Sequence, residues 1–266
     1  STSGAVAVAA GNNHTCAITN GDALKCWGSN SAGQLGTAAV GNTLQAAFAG
    51  GLLSGVTALA AGNGHTCAVQ NGALKFFGIN SLGQLGDGTA VTPASGTVRT
   101  PVASGVSAAA AGFGHTCAVV NGGLRCWGDG TKGQLGNGSL ASALSAIDVP
   151  GLASGVRRVA AGSSHTCAIY GSGVTCFGYG EYGELGSARY AYAVPPVTVK
   201  VGFPSATTLL SDRNPSLSGV AVTLSAGIAL NATSPAPCGT VAFKDGGVAV
   251  PGCGAVALAG SGTVRR

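Results

Sequence analysis

The sequence predicts an all-β chain: four propeller-type blades forming a partial or small ring, followed by a smaller β-sandwich. Three observations carry that expectation. The string His-Thr-Cys-Ala recurs at His14, His65, His115 and His165, at spacings of 51, 50 and 50 residues. Each copy is preceded by Ala-Ala-Gly and followed by a short turn set between alternating apolar residues. A second string closes each unit, at Gly33-Gln34-Leu35-Gly36, Gly83-Gln84-Leu85-Gly86, Gly133-Gln134-Leu135-Gly136 and Gly183-Glu184-Leu185-Gly186. Strands without helical periodicity, repeated about every 50 residues, indicate radial or solenoidal β repetition in which each unit hides its apolar face against the next.

Within a repeat the elements follow in the order strand, hairpin, crossing loop, variable strand. The hairpin turns are Asn20-Gly21, Asn71-Gly72, Asn121-Gly122 and Gly171-Ser172-Gly173. Asn-Gly between alternating apolar runs signals a type I′ turn, which needs positive φ at both central residues. The hairpins end in Cys26-Trp27-Gly28, Phe76-Phe77-Gly78, Cys126-Trp127-Gly128 and Cys176-Phe177-Gly178. In the closing string, paired glycines allow a tight crossing loop and the leucine anchors it to the core.

Ala-Ala-Gly-x-x-His-Thr-Cys-Ala, then Trp-Gly-x-Asn and its variants, then Gly-Gln-Leu-Gly, resemble the repeats of the regulator of chromosome condensation family across roughly residues 3–201. The resemblance implies β-propeller blades. Family rings are mostly seven-bladed, many bacterial members look secreted or surface-borne, and one similar protein is a propeller-type β-lactamase inhibitor. The chain has only four repeats, and the strand Val197-Thr198-Val199-Lys200-Val201 is expected to complete the first blade. The GTPase-exchange activity of the family is not implied, because the matching residues are structural ones.

The propeller-like domain is expected to span residues 1–203 and the second domain residues 204–266. In the latter, Ala206-Thr207-Thr208-Leu209, Asn214-Pro215-Ser216, Val222-Thr223-Leu224 and the run from Gly239 to Gly247 resemble a bacterial immunoglobulin-like repeat. A complete sandwich of that kind takes about 100 residues, so this one is expected to be incomplete or a fragment. A chain that opens at Ser1 and holds no Met is expected to be a processed protein with its signal peptide already removed, or a fragment.

Nine cysteines fall into the pairs Cys16 with Cys26, Cys117 with Cys126, Cys167 with Cys176 and Cys238 with Cys253, leaving Cys67 opposite Phe76. Paired positions across a hairpin are close enough to bridge, and closing a loop of about ten residues stabilises a hairpin by roughly 2–3 kcal/mol. Four disulfides belong in an oxidising compartment, so an extracellular or cell-surface location is expected.

Composition excludes several functions. Only 8% of residues are charged, and the net charge of +5 is thinly spread, so no basic stripe exists to track nucleic acid. No apolar run is long enough for a membrane helix. Each His-x-Cys pair supplies only two ligands, the expected disulfides consume the thiolates, and no metal or cofactor is expected. The two glutamates, Glu181 and Glu184, share one loop, and no nucleophile elbow or phosphate-binding loop occurs, so no enzyme or glycan-processing site is expected. Nothing in the pattern supports glycan contact.

All five tyrosines, Tyr170, Tyr179, Tyr182, Tyr190 and Tyr192, lie in the fourth repeat with Arg189 among them. Tyr and Arg are enriched in protein interfaces, so these six residues form the candidate contact surface. The expected function is an extracellular, non-enzymatic structural or interaction protein that presents propeller loops to a protein partner or self-associates, as a surface filament or sheath. The alternative is a secreted inhibitor or receptor that binds a soluble enzyme.

Overall fold

The computed structural model describes residues 4–39 and 41–186, together with strand segments 193–199, 205–211, 224–230, 238–241, 244–245, 248–249, 256–259 and 264–265. It divides into two units, Ser1–Lys200 and Val201–Arg266. No helix occurs among the described residues.

The first unit holds four antiparallel sheets, each of four strands hydrogen-bonded in chain order. Blade one is β1 (Ala5–Ala10), β2 (His14–Thr19), β3 (Leu24–Gly28) and β4 (Thr43–Phe48). Blade two is β5 (Val56–Ala61), β6 (His65–Gln70), β7 (Ala73–Gly78) and β8 (Arg99–Val102). Blade three is β9 (Val106–Ala111), β10 (His115–Val120), β11 (Gly123–Gly128) and β12 (Ala143–Asp148). Blade four is β13 (Val156–Ala161), β14 (His165–Tyr170), β15 (Gly173–Gly178) and β16 (Ala193–Val199).

The last strand does not complete the first blade, contrary to the expectation from sequence. β16 pairs with β15, Cys176 opposite Val197 and Thr175 opposite Thr198, and β1 to β4 already form a full sheet. Strands that follow one another in the chain usually pair with one another, here even across the long connection before each fourth strand, so each repeat supplies all four strands of its own blade.

The turns follow local chemistry. Asn71-Gly72 and Asn121-Gly122 have positive φ at both residues, 50° and 75° in the first and 51° and 79° in the second, as a type I′ turn requires. The first repeat departs from that expectation. It carries one extra residue, and the left-handed position falls on Asp22 (φ 55°), with the Asp22 N–H donating to the Thr19 carbonyl. A longer connection of this kind builds on a different turn type, followed by a left-handed residue.

Apolar side chains fill the seams between successive blades. Ile18, Leu24 and Leu52 meet Val56 and Phe77 at the first seam. Val69, Leu74 and Phe76 meet Val106, Val120 and Trp127 at the second. Val119, Leu124 and Leu152 meet Val156 and Phe177 at the third. Leu35, Leu85, Leu135 and Leu185 of the closing strings are all buried.

In the second unit β17 (Ser205–Ser211), β18 (Leu224–Leu230), β19 (Cys238–Val241), β20 (Lys244–Asp245), β21 (Val248–Ala249), β22 (Val256–Ala259) and β23 (Val264–Arg265) are described. They pair antiparallel as β17-β18-β23, β19-β22 and β20-β21. Asn214-Pro215-Ser216 and much of the remaining immunoglobulin-like pattern lie outside the described residues.

The glycine of Ala-Ala-Gly is required by space. A Cβ on Gly62 would stand 2.3 Å from Cε1 of His65 and 2.5 Å from the Gly112 carbonyl oxygen of the next blade. Gly62→Ala is therefore expected to cost about 2 kcal/mol or more and to lower the thermal midpoint. Gly173→Ala, whose nearest neighbour is 3.9 Å away, serves as control and should change stability by about 0.5 kcal/mol or less. Equal melting of the two variants would contradict the packing.

Candidate interaction surface

One polar relay repeats at every seam. His14 Nε2 lies 2.8 Å from Thr66 Oγ1, His65 Nε2 3.0 Å from Thr116 Oγ1, and His115 Nε2 2.9 Å from Thr166 Oγ1. The three threonine hydroxyls in turn donate to the carbonyl oxygens of Gln34, Gln84 and Gln134, at 2.7, 2.8 and 2.9 Å. A hydroxyl has one proton, and here it is spent on the carbonyl, so the imidazole must donate from Nε2. Nδ1 of His14, His65 and His115 is then a bare acceptor, buried without a hydrogen-bond partner. Protonation would place an unsatisfied N–H there. Burial pushes His14 and His115 down to about 4 and His65 to about 3, with neighbouring imidazoles adding to the shift for His65 and His115 and Asp129 opposing it for His115.

An aromatic contact runs beside the relay. The rings of Phe77, Trp127 and Phe177 are wholly buried and sit on Gly36, Gly86 and Gly136 of the preceding blade, where an added Cβ would approach ring atoms to 3.1, 2.6 and 2.7 Å. Trp127 Nε1 also donates to the Gln84 carbonyl at 3.0 Å.

Three of the four cysteine pairs are brought together. Cys16–Cys26, Cys117–Cys126 and Cys167–Cys176 are disulfides between directly opposed residues, with Cα atoms 4.1 Å apart in each. Cys253, the expected partner of Cys238, lies outside the described residues. Cys67 is a buried free thiol opposite Phe76, whose ring packs edge-on to Trp127 at 5.8 Å. Burial pushes that thiol up to about 12.

The three described tyrosines do not form one cluster. Tyr170 ends β14 at the turn, whereas Tyr179 and Tyr182 follow β15 at the opposite end of the hairpin, about 17 Å away by strand rise. Tyr170 lines an open groove of about 490 Å³ with Pro150, Leu152, Thr175 and Pro196. Tyr179 and Tyr182 pack edge to face at 6.1 Å, the Lys132 ammonium stands 5.3 Å from the Tyr179 ring, and Tyr182 is 82% exposed. The Tyr179 hydroxyl donates to the Glu181 carboxylate, and the Glu184 carboxylate accepts from the Tyr182 N–H at 2.9 Å, so both glutamates shape this loop. Arg189, Tyr190 and Tyr192 lie outside the described residues. Sequence reading missed Lys132 because it comes from the previous repeat, and only the superposition of closing loops on adjacent blades brings it close.

Lys25, Lys75 and Arg125 each engage the fourth strand of their own blade. Lys25 lies 4.6 Å from the Phe48 ring centre, Lys75 donates to Thr100 at 3.1 Å, and Arg125 pairs with Asp148 at 2.8 Å. At the centre of the arc the Ala-Ala-Gly corners border a shallow groove of about 330 Å³, lined by Gly11, Gly62, Gly112 and Gly162.

The repeat model described as regulator of chromosome condensation (RCC1) matches residues 5–34, 106–134 and 156–184, and a second model of the same description matches residues 121–169. Over these segments the chain is similar to RCC1 repeats. The human protein WBSCR16 is similar in structure at a TM-score of 0.68 and 26% identity, over 76% of this chain and 55% of its own. Prp20, the yeast RCC1, solved bound to Kap60, gives 0.64 and 21% over 74% of this chain and 48% of its own. A second structure of Prp20 from Saccharomyces cerevisiae, in a study of its binding to Gsp1p and histones, gives 0.64 and 21% over 74% and 50%. The chain thus spans about half the length of the structures it matches. No curated protein matches the chain. The second blade, where Phe76-Phe77-Gly78 stands in place of a Cys-Trp-Gly or Cys-Phe-Gly, has the same four strands although the repeat models do not cover it.

Two outcomes follow from the buried groups. The three imidazoles have folded values below the unfolded value near 6.5, so the unfolded chain takes up more protons as pH falls. Their contribution to stability is complete above about pH 6.5 and is lost as pH falls toward 4. The denaturation midpoint should drop between pH 7 and pH 5 and drop less in the variant His65→Asn; a flat profile would contradict the relay. Cys67 should resist an aromatic disulfide reagent in the native state at pH 8 and react stoichiometrically in denaturant. Rapid native labelling would place the thiol outside the seam.

Proposed function

We propose that this RCC1-repeat chain is an extracellular, non-enzymatic protein-interaction scaffold whose disulfide-pinned blades present their closing loops to a protein partner. The observation that carries the reading is the loop of blade four, where Tyr182 stands exposed beside Tyr179 and Lys132 on a frame fixed by Cys167–Cys176. A large ring with a polar tip, held without freedom to collapse, is the type of group that carries binding energy in protein interfaces. RCC1-type neighbours that engage proteins, Prp20 with Kap60 among them, support the class of function but not a particular partner. Hairpin disulfides support an oxidising compartment. Residues 204–266 would act as an immunoglobulin-like spacer.

Self-association is the second reading, favoured by the exposed apolar side chains of Val8 in blade one and Ile169 in blade four. A head-to-tail contact closes as a ring or runs on as a surface filament or sheath according to its rotation. The inhibitor-like alternative uses the same loops against a soluble enzyme.

A photo-crosslinking residue in place of Tyr182, in the oxidised full chain mixed with the extracellular fraction of its source, should give a discrete adduct with another protein. Tyr179→Ala should suppress that adduct severalfold while leaving the thermal midpoint of the chain unchanged. No adduct, or one indifferent to Tyr179→Ala, would overturn the loop assignment.

A further inference from the structure

The second seam, between blades two and three, carries apolar side chains on its outside that the shared frame does not need. Three positions meet there at a seam: the residue after Ala-Ala-Gly in the following blade, the residue before the closing string of the leading blade, and the residue of the following blade that lies over the first glycine of that string. At the first seam they are Asn63, Ala32 and Ser95, with Ser95 Oγ 3.3 Å from a Cβ placed on Gly33. At the second they are Phe113, Leu82 and Leu144. A Cβ on Gly114 would stand 2.5 Å from Leu82 Cδ1, and one on Gly83 2.6 Å from Leu144 Cδ2, so the three apolar groups adjoin. Asn63 and Phe113 both bond the next blade through the backbone N–H, to the Gly112 carbonyl at 3.3 Å and the Ser163 carbonyl at 3.0 Å, so the corner places no demand on the side chain. Phe113 is 53% exposed, Leu82 39% and Leu144 41%. A fold that completes its first seam with Asn, Ala and Ser gains nothing from large apolar groups left in water, and adjoining exposed groups of this kind mark binding surfaces. Blades two and three are described in full and each has a further blade on its other side, so this exposure does not depend on the ends of the arc.

The margin of the patch is acidic. Asp129 Cβ lies 3.4 Å from the same point over Gly114 that Leu82 approaches. Its carboxylate accepts from the Thr131 N–H at 3.0 Å, the Thr131 hydroxyl at 2.8 Å and Gln134 Nε2 at 2.9 Å, all neutral donors, and it forms no ion pair among the described residues. Asp87, bridged to Ser145 beside Leu144, is paired with Arg99 at 3.1 Å, and the Lys132 ammonium stands over the Tyr179 ring of the next seam. We infer that the outside of the second seam is a docking site for a short segment of a partner protein that sets aliphatic or aromatic side chains on Phe113, Leu82 and Leu144 and a Lys or Arg against Asp129. The apolar anchors supply the affinity, and the charge at the rim sets the direction of the segment. A second copy seated patch on patch would bring another Asp129 in place of the missing cation, and an anionic membrane surface would be repelled by the same carboxylate. The inference deepens the protein-interaction reading and rests on it for the class of partner, but Tyr182 takes no part in it.

The probe is a displayed library of random linear peptides, selected on the purified, oxidised full chain. Phe113→Asn, Leu82→Ala and Leu144→Ser together rebuild at the second seam the residues of the first, so the triple variant should keep the parent thermal midpoint. Selected peptides should combine aromatic or aliphatic residues with Lys or Arg and, by fluorescence anisotropy, bind the triple variant about tenfold or more weakly than the parent. Asp129→Asn should weaken them about threefold at low salt, a difference that disappears at high salt. No enriched peptide, peptides that bind parent and triple variant equally, or a selection dominated by acidic sequences overturns the inference. A lowered midpoint in the triple variant would make the three side chains part of the packing and overturn it as well. Loss of the Tyr182 adduct leaves this site standing, and an adduct at Tyr182 without enrichment here removes this site alone.

Discussion

A single proton on each threonine hydroxyl sets the direction of the blade stack. Thr66, Thr116 and Thr166 spend it on the carbonyls of Gln34, Gln84 and Gln134 and can only accept from the imidazoles of His14, His65 and His115. Histidine, hydroxyl and carbonyl are satisfied together, in a site where leaving any one of them unpaired costs about 1–3 kcal/mol. The histidine and the glutamine carbonyl belong to one blade and the threonine to the next, so the relay registers adjacent blades as well as joining them. The glycines of Ala-Ala-Gly exist to let the imidazole edge pass, and the glycines that close each repeat exist to seat the next blade's ring.

The four blades and the order of their elements were legible in the sequence because their signals are local or periodic. Asn71-Gly72 and Asn121-Gly122 fix two turns through backbone sterics alone, and the pairing of Cys117 with Cys126 follows once the turn is two residues long. What was not legible depends on contacts between repeats. The Asn20-Gly21 turn moved because one inserted residue shifts the left-handed position to Asp22, and a dipeptide signal does not count the loop around it. The blade that takes up the fourth-repeat strand around residues 197–199 was not legible, because a β-rich segment carries no mark of which sheet it will join. Tyr170, Tyr179 and Tyr182 stand close in sequence, yet the hairpin carries Tyr170 to one end and Tyr179 with Tyr182 to the other. The orientation of the histidines toward the next blade had a sequence trace, the fixed His-Thr dipeptide, but its meaning needed the adjacent carbonyl.

Variation among the blades shows which parts of the frame are exchangeable. Blade two lacks the hairpin disulfide, and the space is filled by Phe76 packed against Trp127 with the Cys67 thiol buried beneath, so an aromatic contact across the seam stands where a covalent bond within the hairpin would be. The relay, by contrast, appears at all three internal seams with distances within 0.2 Å of one another, 2.8, 3.0 and 2.9 Å from imidazole to hydroxyl. Hairpin stiffness is thus achieved in more than one way, whereas blade registration is achieved in one.

The central claim concerns protons, and long-range nitrogen-15 correlation spectra of the imidazoles test it most directly. At pH 5, His14, His65 and His115 should each show a neutral ring with the proton on Nε2 and a bare Nδ1. Doubly protonated rings at that pH, or neutral rings carrying the proton on Nδ1, would contradict the relay and with it the account of how the blades are held in line.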